Sequence, residues 1–389
     1  MVNGNSRGQW APPRTAGPGS EFQEQSAAAR KNTIASTPSG WKALIADLER
    51  QLPVLLTQAP TVPAVSMALI DDAKLLWRGA YGVTDFNSKA PIDHDTIFEA
   101  GSVSKTVFAY DVMKLCEKGV LDLDAPLTKY TPDRLIKGDP RLDLITTRRV
   151  LSHTTGLPNW RSAKQPLAIG FTPGERWSYS GEGYSYLQSV VTRLVGHVNP
   201  NDCETFDYDD VRVCATDFDA YMKASLLVPF GMVSSGYLYR DGMARPHAKD
   251  GKLIGERKAN AIAAARYGSA GGLHTNPSEY AKFLIGILDP KPSDAYRLNA
   301  ASLKEMVRPQ VKIRESLDWG LGWAVEHTKA GDLIAHSGDN PGYKALTAAS
   351  IPQRRGFIIM TNGDLGYDQI IAKVIMSEPM QRFLSTALV

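Results

Sequence analysis

No apolar run in this 389-residue chain approaches the length of a membrane span, so nothing in it reads as a transmembrane helix. Charge of one sign is also lacking: 44 lysines and arginines face 41 aspartates and glutamates, a formal net charge of +3. That balance, without a basic stripe or interleaved aromatic and basic residues, argues against nucleic acid as a partner. The seven histidines are scattered, with no metal-ligand spacing such as H-E-x-x-H, so neither metal nor cofactor is expected. No internal repeat appears, and no long linker separates independent domains. The remaining composition is that of a globular protein large enough for one big domain or two ordinary ones.

Cysteine is scarce, at three residues. Cys116 stands among apolar neighbours in a helical segment and is expected to be a buried thiol. Cys203 and Cys214 bracket a short acidic insert, Glu204 to Val213. A local disulfide there would favour an extracytoplasmic home; two unpaired thiols in a surface loop is the other reading, and spacing does not choose between them. The first 22 residues carry Gly, Pro, Ser and Arg but not the apolar stretch of a signal peptide. Gly17 to Phe22 looks like a linker left by cloning, so residues 1–40 are set aside as a flexible N-terminal segment.

What is present is a clear alternation of patterns. Trp41 to Leu56 has helical periodicity, with Leu44, Ile45, Leu48, Leu52 and Leu55 on one side. Val65 to Asp71 and Leu75 to Val83 read as strands joined by a short polar turn, a hairpin. A helix is expected from Ser102 to about Lys118, stopped by Gly119. Asp122 to about Asp289 is mostly helical segments and loops. Trp319 to Glu326, Leu333 to Ser337, Ala345 to Ile351 and Phe357 to Thr361 read as four strands, followed by a last helix from about Asp368 to Leu384. The expected organisation is an α/β sheet domain from residues 41–100 and 300–389, with a mostly helical domain, 101–299, inserted between.

Within the second helix, Ser102 and Lys105 are three residues apart and share one helical face. A serine is a poor nucleophile until a neighbour takes its proton, and an amine beside it at a helix start can do so. S-x-x-K is weak evidence alone, since Ser39 and Lys42 repeat it where Ser39 looks like a helix cap.

Four further segments decide between the copies: Leu151-Ser152-His153-Thr154-Thr155-Gly156-Leu157-Pro158, Pro173 to Gly181 with Tyr179 just before a helix, Ala270-Gly271-Gly272-Leu273, and His336-Ser337-Gly338 running into Asn340-Pro341-Gly342-Tyr343. In this order they resemble the penicillin-recognising serine hydrolases, in the branch holding class C β-lactamases, D-alanyl-D-alanine carboxypeptidases, D-aminopeptidases and family VIII carboxylesterases. The resemblance covers roughly Pro60 to Gly363. It selects Ser102 and implies a β-lactamase/transpeptidase-like fold, an antiparallel sheet flanked by helices with the nucleophile where the helical domain begins. It further implies Ser102 as nucleophile, Lys105 as its proton acceptor, and Tyr179, matching the tyrosine of a Y-x-N element, as general base or shuttle. A nearby cation such as Lys105 is expected to make the Tyr179 anion accessible. His336-Ser337-Gly338 corresponds to a K-T-G strand that aligns substrate, with the backbone N–H groups of Ser102 and Asp339 as an oxyanion hole. Gly338, without a side chain, is expected to let substrate approach the strand. Trp319-Gly320-Leu321-Gly322-Trp323 reads as strand packing.

Two departures bear on substrate. Gly181 replaces the asparagine of Y-x-N, which in the family touches a substrate amide, and His336 replaces the lysine of K-T-G, removing a permanent charge for a substrate carboxylate. The short stretch between Pro158 and Pro173 points to an open site. Short-chain ester hydrolysis through an acyl-enzyme fits best, with weak β-lactam turnover. The alternatives are a class C-like β-lactamase or D-amino-acid peptidase, and a non-enzymatic acylated sensor or scaffold.

Overall fold

The computed structural model describes residues 39–131, 135–162, 164–195, 205–208, 211–255, 267–291 and 296–385. Helix α1, Lys42–Gln58, buries Leu44, Ile45, Leu48, Leu52 and Leu55, the five positions its periodicity marks. Trp41, not Ser39, stands at its N-cap position, and Lys42 is exposed. Strands β1 (Ala64–Asp71) and β2 (Lys74–Gly82) form the hairpin. Short β3 (Phe98–Glu99) leads into a 3-10 turn, Gly101–Val103, and then helix α2, Ser104–Glu117.

The helical region holds the helices Thr147–Leu151, Gly181–Val195 and Pro277–Leu288. It also holds a hairpin of β4 (Thr205–Tyr208) and β5 (Val211–Cys214), and β6 (His274–Thr275), which pairs with β3. Thr146 and Asn276 cap two of these helices by accepting from Arg149 N–H and Glu279 N–H. Cys203 lies outside the described residues.

The late strands are β7 (Val311–Arg314), β8 (Leu317–Trp319), β9 (Ala324–Thr328), β10 (Gly331–Asn340), β11 (Tyr343–Ser350) and β12 (Arg355–Thr361). With the first hairpin they build one eight-stranded antiparallel sheet, ordered β2-β1-β12-β11-β10-β9-β8-β7. Both faces are covered, so β1 is buried throughout and alternates between two cores. Val65, Met67 and Leu69 pack with α1 and the C-terminal helix, while Ala64, Ala68 and Ile70 pack with the helical region. Arg355 on β12 donates to Asp71 on β1 at 2.7 Å, and Trp41 Nε1 donates to the same carboxylate, so the charges sealed between α1 and the sheet are paired.

Three expectations change. Trp319 to Glu326 is two strands, because Gly320 N–H turns back to Trp323 carbonyl and Gly322 N–H leaves the sheet for Leu151 carbonyl. The last helix breaks after Ile375 and restarts as Glu378–Ser385, where Pro379, lacking an N–H, sits in a first turn that needs none. Cys116 is only partly buried, at the edge of the core, although burial still pushes its thiol up to about 12.

Candidate active site

Helix α2 is not amphipathic: Ser104 to Leu115 are all buried, charged residues included. It runs through the core, and its first turn is pinned to neighbours on both sides. Ser104 Oγ donates to Gly101 carbonyl at 2.5 Å and accepts from Leu273 N–H at 2.9 Å. On the other side the Gly101–Val103 turn presses on β10. Gly101 has φ +54°, and a Cβ there would sit 2.8 Å from Asp339 N. A Cβ on Gly338 would collide with Ala100 carbonyl. Gly338 therefore serves the packing of turn on strand. The consequence is that residue 101 abuts the backbone N–H of Asp339, bringing the end of β10 beside Ser102. The pairing of β9 with β10 stops at Ala335, so among the described residues the β9-side edge from His336 onward has no strand partner.

Ser102 is partly exposed, and Lys105 beside it is wholly buried. Lys105 Nζ lies 3.2 Å from Ser102 Oγ and donates to Ala270 carbonyl at 2.5 Å. Burial brings its pKa down from 10.5 to about 7, so a neutral amine is available near physiological pH. Lys105 meets Tyr179 through the ring face, 4.8 Å from the centroid, rather than through the hydroxyl.

The Tyr179 ring is half-exposed, but its hydroxyl is buried. Burial raises the phenol above its ordinary value, and Ser102 pulls it only partway back through a contact looser than a formed hydrogen bond. This corrects the expectation of an accessible phenolate. At neutral pH Tyr179 is protonated, which suits a proton donor and relay.

His336 is buried, with its pKa lowered to about 3 by burial and by Lys105. Nδ1 donates to Ser337 carbonyl at 2.7 Å, so the neutral ring turns the Nε2 lone pair into the buried cluster. Ser337 is half-buried, Gly338 buried and Asp339 exposed. The Asp339 carboxylate pairs with Lys344 at 2.9 Å, tying the end of β10 to β11. Ser102, Lys105 and Tyr179 are thus in mutual contact, and the 336–339 segment is held against them by the turn.

His153 carries a site role that residue type alone does not reveal. It has φ +56°, its carbonyl accepts from Ser178 N–H, and its Nδ1 accepts from Ser180 N–H at 3.0 Å. Its ring stands 4.2 Å from that of Tyr179, so it grips the tyrosine from both flanking residues and one face. Burial, then Lys105 and His336, hold it neutral. Trp319, buried, closes the other side, with its ring 5.9 Å from Tyr179 and its Nε1 donating to Leu151 carbonyl. The Ser152-His153-Thr154 turn is the available sequence signal for this support. Ala270 carbonyl has none, because any residue supplies one. Of the three basic nitrogens in the cluster, only Lys105 titrates near neutrality.

A serine beside a desolvated lysine and a tyrosine with a buried hydroxyl, where an antiparallel sheet meets a helical region, is the arrangement of the penicillin-recognising serine hydrolases. Residues 45–376 match the family model described as Beta-lactamase, and the chain belongs to that family. It is 26% identical over 348 residues to Penicillin-binding protein 4* of Bacillus subtilis (strain 168), covering 77% of this chain and 68% of that one. It is 30% identical to Esterase EstB of Burkholderia gladioli over 187 residues, 40% of this chain and 46% of that one. Among solved structures, the octameric penicillin-binding protein homologue from Pyrococcus abyssi superposes with TM-score 0.68 at 20% identity, covering 87% of this chain and 79% of that one. A class C β-lactamase superposes with TM-score 0.69 at 17% identity, covering 89% and 99%. The fold is β-lactamase/transpeptidase-like, and the family is one of serine hydrolases.

Proposed function

We propose that the protein is a family VIII-type carboxylesterase that hydrolyses short-chain esters through an acyl-enzyme, with β-lactams as poor substrates. Ser102 Oγ attacks the ester carbonyl and its proton passes to the neutral Lys105 amine. The oxyanion is received by the N–H groups of Ser102 and Asp339, paired donors of the kind that contribute about 3–4 kcal/mol to a transition state. Lys105 returns the proton through the Tyr179 phenol to the departing alkoxide. In deacylation the same relay takes a proton from water, whose oxygen attacks the acyl carbon, and reprotonates Ser102.

The observation that carries the ester reading is His336. A substrate carboxylate would seek a cation at that position, and the ring there is buried and neutral, with a lone pair exposed to the cluster. An ester makes no such demand. Gly181 likewise offers no side-chain amide, and the esterase name of one relative points the same way. The second reading, a β-lactamase or D-amino-acid peptidase, is favoured by the longer match to a penicillin-binding protein.

The test is initial rates on p-nitrophenyl butyrate and a chromogenic cephalosporin, for wild type beside Ser102→Ala. Dominant ester turnover that falls by about three orders of magnitude or more in the variant is expected. Dominant cephalosporin turnover would replace the reading with β-lactamase, and undiminished hydrolysis by the variant would remove Ser102 from the mechanism.

A further inference from the structure

β10 ends beside the nucleophile turn, and a side chain that no step of the reaction uses helps to hold it there. Asn340 is the last residue of β10, two beyond Gly338, so the two face the same side of the strand. Gly338 presses on Ala100 carbonyl. Asn340, partly buried, reaches further along the same segment: its Nδ2 donates to Glu99 Oε2 at 2.8 Å and to Gly271 carbonyl at 3.0 Å. A carboxylate oxygen and a backbone carbonyl both accept, so the two amide N–H groups are in use and the amide has one orientation.

The residues so joined come from three separate segments. Glu99, buried on β3 opposite His274 of β6, stands three residues before Ser102. Gly271 follows Ala270, whose carbonyl accepts from Lys105 Nζ. Asn340 follows Asp339, whose backbone N–H is the oxyanion donor assigned above. One amide therefore ties together the segments that carry the nucleophile, the anchor of its proton acceptor and the oxyanion donor.

The other bonds at this strand end point elsewhere. Lys344 Nζ donates to Asn340 carbonyl at 3.3 Å and pairs with Asp339 and Asp364, and Gly342 N–H donates to Asp364 Oδ1 at 2.7 Å. These fix β10 to β11 and to the loop after β12, not to the nucleophile segment. The glycines at 101 and 338 let turn and strand come close, but close approach alone sets no distance; a directional bond does. We propose that Asn340 is a positioning residue for acylation, keeping the Asp339 N–H where the oxyanion on the Ser102 adduct forms. Such donors act only when aimed at that oxygen, and a displacement of about 1 Å can cost about a hundredfold in rate. The proposal rests on Ser102 as nucleophile and Asp339 as oxyanion donor, and is indifferent to the choice of ester over β-lactam.

Two probes that read the serine whatever its natural substrate test it. One is a small alkyl fluorophosphonate, whose phosphorus takes Ser102 Oγ as fluoride leaves, and whose saturation gives kinact and KI separately. The other is butylboronic acid, whose Ki reports the tetrahedral adduct. Wild type is compared with Asn340→Ala, the near-isosteric Asn340→Asp, and Glu99→Gln, which keeps an oxygen acceptor, each with its urea midpoint. Asn340→Ala and Asn340→Asp should lower kinact about tenfold to a hundredfold and raise the boronate Ki in step, with the fluorophosphonate KI within about twofold of wild type. Glu99→Gln should lose less than either, and a loss as large would break the link through Glu99 and overturn the proposal. Wild-type kinact in folded Asn340→Ala, even with a lower urea midpoint, would make the bond purely structural and also overturn it. So would a fall in kinact with the boronate Ki unchanged, since the loss would then lie outside the oxyanion donors. A wild type that neither probe engages would overturn the Ser102 reading itself, and the proposal with it.

Discussion

Replacing Lys105 with methionine should make the protein more stable while removing its activity, and the gain should depend on pH. The lysine is held at about 7 in the folded chain against 10.5 when solvated, because burial removes water from its ammonium. Between those two values the unfolded chain binds a proton that the folded chain does not, so wild-type stability rises with pH by about 1.4 kcal/mol per pH unit in that window. Below pH 7 both states are protonated and the full desolvation cost, about 5 kcal/mol, is present. Lys105→Met abolishes this dependence but leaves Ala270 carbonyl without its donor, a pH-independent loss of about 1–3 kcal/mol. The variant should therefore be more stable by about 2 kcal/mol at pH 7 and less stable by about 1 kcal/mol at pH 9.5. The change in the difference, about 3 kcal/mol, is the firmer figure, since the carbonyl term and all other titrating groups cancel. Urea unfolding of both proteins at the two pH values measures it. A stability difference that stays constant from pH 7 to 9.5 would show that Lys105 is not desolvated in the folded state and refute the reasoning.

The same lysine sets the pH dependence of the reaction. Only its neutral form accepts the Ser102 proton, so kcat/KM on an ester should rise with a midpoint near pH 7; a flat profile from pH 5.5 to 8.5 would assign the proton to another group. Gly338→Ala places a methyl against Ala100 carbonyl, and since backbone faces backbone there, it should cost about 3 kcal/mol or more in urea and slow serine acylation by a fluorophosphonate probe. A variant with wild-type stability and acylation rate would mean that the turn does not need its contact with β10.

The parts of the fold that periodicity can encode were readable before any coordinates. The Leu44-to-Leu55 stripe marks the buried side of α1, and the mostly apolar run of β1, interrupted by Ser66, reflects a sheet covered on both faces. Ser102 and Lys105 carry their relation in their spacing. What escapes is set by groups or environments that no single letter denotes. Trp319 and Trp323 look like one strand because the carbonyls of Leu151 and Met306 that draw residues 321 and 322 out of line come from distant segments. The protonated state of Tyr179 follows from burial of its hydroxyl, which spacing does not predict. His153 reads as one histidine among seven, and its value lies in bonds to Ser178 and Ser180, known only once the 152–154 turn is closed.

The order of the strands has a consequence for how the molecule comes into being. Of these eight strands β12 is the last to leave the ribosome, yet it stands in the interior of the sheet, between β1 and β11. Asn340 reaches Glu99 across 241 residues of chain, and Asp339 beside it meets the turn that carries Ser102. While most of the chain is already synthesised, its first hairpin waits with the β1 edge unpaired, a surface open to mispairing. A chain truncated before β12 is therefore expected to leave no partly active fragment. The serine is made early, but the part of its site that lies on the sheet follows only after the whole helical region has been synthesised.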